Sequence, residues 1–95
     1  MTKRAQAFES VWDALEATPA EASNLRLRAD LMIALSARVA KWETTQVAAA
    51  QRLGITQPRL NDLMRGRIDR FSLDALVNLA AKAGLVIRLE IEAAA

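Results

Sequence analysis

Every glycine of the chain stands where a helical pattern stops: Gly54, Gly66 and Gly84. Ahead of each runs a short amphipathic stretch opened by a hydroxyl residue, Thr45, Thr56 and Ser72 in turn. A hydroxyl oxygen at an N-cap accepts from an amide that would otherwise be orphaned, and glycine ends a helix at low cost. Pro58 adds a third signal, because a proline in the first turn removes an N–H that has no partner anyway. The punctuation predicts helices over 45–53, 56–65 and 72–83, joined by tight corners.

Upstream, Leu27, Leu31, Leu35, Val39 and Trp42 recur at about four-residue spacing, which predicts a long helix through "AEASNLRLRADLMIALSARVAKW". Its start is left open between Glu21 and Asn24. Phe8, Val11, Trp12 and Leu15 follow an i, i+3, i+4, i+7 pattern and predict a shorter amphipathic helix, ended at Thr18-Pro19 because the residue before proline is pushed out of helical space. After Gly84 the period changes. In "LVIRLEIE", Ile87, Leu89 and Ile91 point one way and Val86, Arg88 and Glu90 the other, the alternation of a half-buried strand. The chain offers no second strand candidate, so the expected partner is the same strand of another copy, antiparallel about a two-fold axis. A frayed tail laid against the core is the alternative.

Composition agrees with an all-α chain. Hydrophobic residues make up 53% of the 95, while glycine and proline number three and two. A chain of this length buries only about 60 to 65% of its unfolded surface, so stability is expected to lean on a partner or a second copy. Cysteine and histidine are both absent, which excludes disulfides, thiolate nucleophiles, imidazole bases and the usual zinc sites. No catalytic residues, metal or cofactor are expected, and the chain is read as a non-enzyme. With no apolar signal core after Met1-Thr2-Lys3-Arg4 and no run of about 18 apolar residues, a cytoplasmic, nucleoid-associated protein without a membrane partner is expected. The net charge of +2 is unevenly spread: residues 44–70 hold five arginines against two aspartates, whereas residues 1–23 hold two basic and four acidic groups. A local basic patch suits a polyanion.

Gln46, Ala50, Gly54 and Leu60 belong together. Two helices that cross closely at a steep angle need a small residue at the contact, here Ala50, and a corner that tolerates positive φ, here Gly54. The second helix then needs apolar anchors, here Leu60 and Leu63, with Met64 expected beside them. This constellation resembles the helix-turn-helix of the Cro/repressor superfamily. With the leucines turned inward, the outward face of "TQPRLNDLMRG" is expected to carry Gln57, Pro58, Arg59, Asn61, Asp62 and Arg65. Glutamine, asparagine and arginine match adenine and guanine edges in the major groove. The resemblance implies that Gln57 is the principal base reader, braced by Gln46, which also reaches a phosphate. Arg59 and Asn61 are expected to add contacts, and Asp62 to accept from a cytosine or repel a wrong base. Thr45, Gln46 and Thr56 mark helix N-termini suited to phosphate, and Arg65, Arg67 and Arg70 are expected on the DNA backbone, their alternative being a solvated surface.

Over roughly residues 8–91, and above all in "LGITQPRLNDLMRGRIDRFSLDALVNLAAKAG", the chain is similar to the short HigA-type antitoxins. The resemblance implies a five-helix, lambda-repressor-like fold with a short C-terminal β-strand, in which an amphipathic helix and spacer at 1–23 precede a helix-turn-helix domain at 24–95. It also implies a homodimeric repressor that binds double-stranded DNA at an inverted-repeat operator and neutralises a partner toxin. Val86, Ile87, Leu89 and Ile91 are the expected dimer contacts. Phe8, Val11, Trp12 and Leu15 are candidates to hold the toxin, or else to complete the chain's own core. Two other functions compete: a stand-alone or phage-type regulator, and an interaction scaffold that does not touch DNA.

Overall fold

A computed structural model describes residues 18–94, which hold four α-helices and one 3-10 turn. In chain order these are α1 (Pro19–Ala40), α2 (Gln46–Leu53), α3 (Gln57–Met64), the 3-10 turn (Ile68–Arg70) and α4 (Leu73–Lys82). The fifth expected helix, over Phe8 to Leu15, lies outside the described residues.

The long helix begins earlier than either expected start. Thr18 is its N-cap and Pro19 its first residue, and the Thr18 Oγ1 accepts from the Glu21 amide at 3.1 Å. The Thr-Pro pair thus opens this helix, and "TPAE" carries the Thr-x-x-Glu spacing of a capping box. As a result α1 runs through the expected division at 23/24 without a break. The apolar stripe also needs adjustment. A strict four-residue spacing advances about 40° around a 3.6-residue helix at every step, so the ends of such a stripe rotate off the core. Leu27 is accordingly exposed and Leu31 only half-buried, while Met32, Leu35 and Val39 are buried.

The short helices start where their hydroxyl caps predict. Thr45 Oγ1 accepts from Ala48 N at 3.1 Å, Thr56 Oγ1 from Arg59 N at 3.2 Å, and Ser72 Oγ from Ala75 N at 3.1 Å. In α2 the inward residues are Ala49, Ala50 and Leu53, and Val47 is left about half exposed. Leu60 and Leu63 of α3, Leu76, Leu79 and Ala80 of α4, and Phe71 between them close a single core against α1. Phe71 is the largest fully buried side chain and sits in a segment with no helical period to announce it. Burying such a side chain contributes on the order of 2 to 3 kcal/mol.

Arginines of α1 tie the ends of other elements to this core. Arg28 donates from Nη1 to the carbonyls of Ile68 and Phe71, at 3.0 and 3.4 Å, and from Nε to Asn24 Oδ1 at 2.7 Å. Arg38 donates from Nε to the Ala83 carbonyl at 3.0 Å, supplying a partner at the C-terminal end of α4 where helix carbonyls are orphaned.

The expected C-terminal strand is not formed: among the described residues there is no β-structure, and 85–94 follow no regular element. A strand exists by its ladder, and one chain supplies only one side of it.

Candidate nucleic-acid interface

The site is built around the corner between α2 and α3. Gly54 adopts φ 69°, ψ 32°, and its amide donates back to the end of α2, while the Ile55 amide donates to the Ala50 carbonyl at 3.0 Å. That closes the first helix within one residue and launches the second after Thr56. A Cβ on Gly54 would lie 3.2 Å from Lys82 Nζ, the movable end of an exposed side chain, so it is the positive φ rather than crowding that favours glycine here. Ala50, at 2% exposure, is the small residue that lets the helices approach, and Leu60 and Leu63 are fully buried beneath them.

The outward side of α3 is narrower than its sequence indicates. Gln57, Pro58, Asn61, Met64 and Arg65 are exposed. Thr45, Gln46 and Thr56 are also exposed, at the two neighbouring helix N-termini. Met64, expected as an inward anchor, is 38% exposed. Arg59 and Asp62, expected to face outward, are only partly exposed and are engaged with the segment after the helix. The Arg59 guanidinium lies 3.9 Å from the centroid of the Phe71 ring and donates from Nη1 to the Arg70 carbonyl at 2.6 Å. The cation sits on the face of an aromatic ring, where the quadrupole attracts the planar guanidinium.

Asp62 is the centre of a small charge network. Its Oδ1 accepts from Arg70 Nη1 at 3.1 Å and stands 3.5 Å from Arg67 Nε, with 19% of the aspartate side chain exposed. Arg67 Nε is buried and has no hydrogen-bond partner among the described residues, so its tie to Asp62 is through charge alone. The carboxylate therefore holds the segment after α3 against the helix. Arg59 reinforces this from the other side, and Arg28 holds the same segment from α1. Arg67 and Arg70 remain 40% and 52% exposed in their side chains. Arg65 makes no ion pair among the described residues.

The sequence reading missed two contacts. Phe71 under Arg59 joins residues twelve apart, and Arg52 over Trp42, at 4.0 Å from the ring centroid, joins α2 to the end of α1. Neither is a periodic or adjacent pair, and only the presence of an arginine and an aromatic residue in the chain hints at them. Among the described residues no three acidic side chains gather where they would hold a metal ion, and no helix is long and apolar enough to cross a membrane. Phe8, Val11, Trp12 and Leu15 lie outside the described residues, while Val86, Ile87, Leu89 and Ile91 are exposed and distant in sequence from the corner.

No curated protein matches the chain in sequence. A family model described as a helix-turn-helix domain matches residues 15–92, which spans α1 to the C-terminal tail and contains the capped α2–Gly54–α3 unit. The chain belongs to that helix-turn-helix domain family.

Proposed function

We propose that the chain is a sequence-specific DNA-binding transcriptional repressor that works as a homodimer, and that it is the antitoxin of a toxin–antitoxin pair. The observation that carries the DNA-binding part is the exposed pair Gln57 and Asn61. They occupy one outward side of a short helix whose N-terminus is capped by Thr56 and whose far end carries free Arg65. An amide side chain pairs bidentately with adenine at N6 and N7, and a helix docked in the major groove presents its N-terminal residues to base edges. Gln46 and Thr45, at the N-terminus of α2, are placed to meet a phosphate. Arg65, with the open sides of Arg67 and Arg70, follows the backbone beyond the reading helix. Arg59 and Asp62 shape the site by holding the 67–71 segment rather than by meeting bases.

Two copies whose reading helices stand about 34 Å apart meet successive major grooves on one face of the duplex, so the operator is an inverted repeat. The antitoxin role is supported by the resemblance across "FSLDALVNLAAKAG" and by the apolar side chains Phe8, Val11, Trp12 and Leu15 at the N-terminal end. Nothing in this reading calls for catalysis or a cofactor.

The test is a gel-shift titration against the DNA upstream of the protein's own coding sequence. Gln57→Ala is expected to weaken operator binding by about 1 to 3 kcal/mol while leaving binding to unrelated duplex nearly unchanged. Unaltered operator affinity and selectivity would remove Gln57 from the reading role, and no duplex binding even at low salt would leave a protein-interaction scaffold. The antitoxin role is tested separately, by co-purification with the product of the adjacent reading frame.

A further inference from the structure

The last backbone hydrogen bond of the described chain is made just after Gly84. The Leu85 amide donates to the Ala80 carbonyl at 2.9 Å, and no backbone bond among the described residues involves 86–94. The side chains nevertheless keep a two-residue period. Leu85 packs half-buried against the core and Ile87 is 47% exposed, whereas Val86 is 85% exposed, so the odd positions already turn toward the body. Leu89 and Ile91 continue the odd series with no cover, at 73% and 84% exposure. The even series carries Arg88, Glu90 and Glu92.

We propose that this tail pairs antiparallel with the same tail of a second copy, in the register that places Leu89 on the two-fold axis. The inference deepens the dimer proposed above and rests on it for the existence of two copies. Directly opposed residues in an antiparallel pair lie on the same face, so odd positions meet odd and even meet even. With Leu89 at the centre, Ile87 meets Ile91 of the second copy and Leu89 meets itself, which gathers the apolar side chains on the face turned toward the body. On the other face Arg88 meets Glu90 of the second copy, and by symmetry the pair occurs twice. Neighbouring registers lose this match. A centre at Arg88 sets two guanidiniums against each other, and a centre at Glu90 matches Arg88 with Glu92 but sets two Glu90 carboxylates against each other on the axis. A centre at Ile87 places Arg88 opposite Val86 and leaves both charge types unmatched. Only the register centred on Leu89 matches opposite charges without also opposing like ones, and that self-complementarity points to a second copy of this chain as the occupant of the exposed edge.

The experiment is sedimentation equilibrium of the full chain and of two variants, Arg88→Glu and Glu90→Arg, alone and mixed in equal amounts at low salt. Each variant alone places like charges opposite one another twice per dimer, and its self-association is expected to be about tenfold weaker than that of the parent. In the mixture each opposing set is again one carboxylate and one guanidinium, so a mixed dimer of near-parental affinity is expected. The helical circular-dichroism signal should be the same throughout, because neither side chain touches the core. A parent chain that is monomeric overturns both the register and the two-copy reading. A dimeric parent whose variants associate equally well, or whose mixture associates no better than either variant, overturns the register alone. Loss of DNA binding bears on neither result.

Discussion

Asp62 shows how a single carboxylate changes meaning once its neighbours are known. From the sequence it sits on the outward side of a reading helix, a candidate to accept from a cytosine. In the structure it accepts from Arg70 and faces Arg67, with only 19% of its side chain exposed. Ion pairs with partners this open contribute about 0.5 to 1 kcal/mol. Asp62→Ala is therefore expected to lower unfolding stability by about that amount in urea titration. It also releases positive charge, so affinity for unrelated duplex should rise at low salt. A base-reading aspartate would instead change selectivity at one operator position and leave non-specific binding alone, so comparing operator with scrambled duplex decides between the two.

At the scale of elements, the short helices were legible because their signals are local. Thr45, Thr56 and Ser72 each bind an amide three residues on, and Gly54 supplies the corner, so nothing distant is needed to place them. The start of α1 was misplaced because Thr-Pro is ambiguous: the pair disfavours a helix before it and favours one after it. The cap itself is testable. Thr18→Ala is expected to cost about 1 kcal/mol and to fray the first turn of α1, seen as reduced helicity and a lower denaturation midpoint. The tail was legible as an alternation, yet no strand forms, because alternation fixes which side chains share a face and not what the backbone bonds to. The Arg59–Phe71 stack and the Arg28 contacts to Ile68 and Phe71 were invisible, since they depend on how α1, α3 and the loop after α3 come together.

For the whole molecule, charge as counted in sequence and charge as available differ. Residues 44–70 hold five arginines, but Arg59 lies on an aromatic ring and Arg67 and Arg70 share one carboxylate. Arg65 is exposed and makes no ion pair among the described residues. Because each phosphate neutralised releases counterion, the dependence of binding on salt counts only the free cations. Arg65→Ala should lower the slope of log affinity against log salt by about one unit, and Arg67→Ala by less, both measurable by fluorescence anisotropy across a salt series.

The segment after α3 is fastened from three directions, by Arg28, Arg59 and Asp62, whereas the tail beyond Leu85 has no backbone bond among the described residues. Rigidity and slack are thus separated along the chain. Tilting α3 breaks at least one of these braces, so in the proposed dimer two half-sites set slightly nearer or farther apart would be met by movement between the copies. If two copies join through their tails as proposed, tolerance for the spacing of two half-sites is set by residues 86–94 and not by the braced helix.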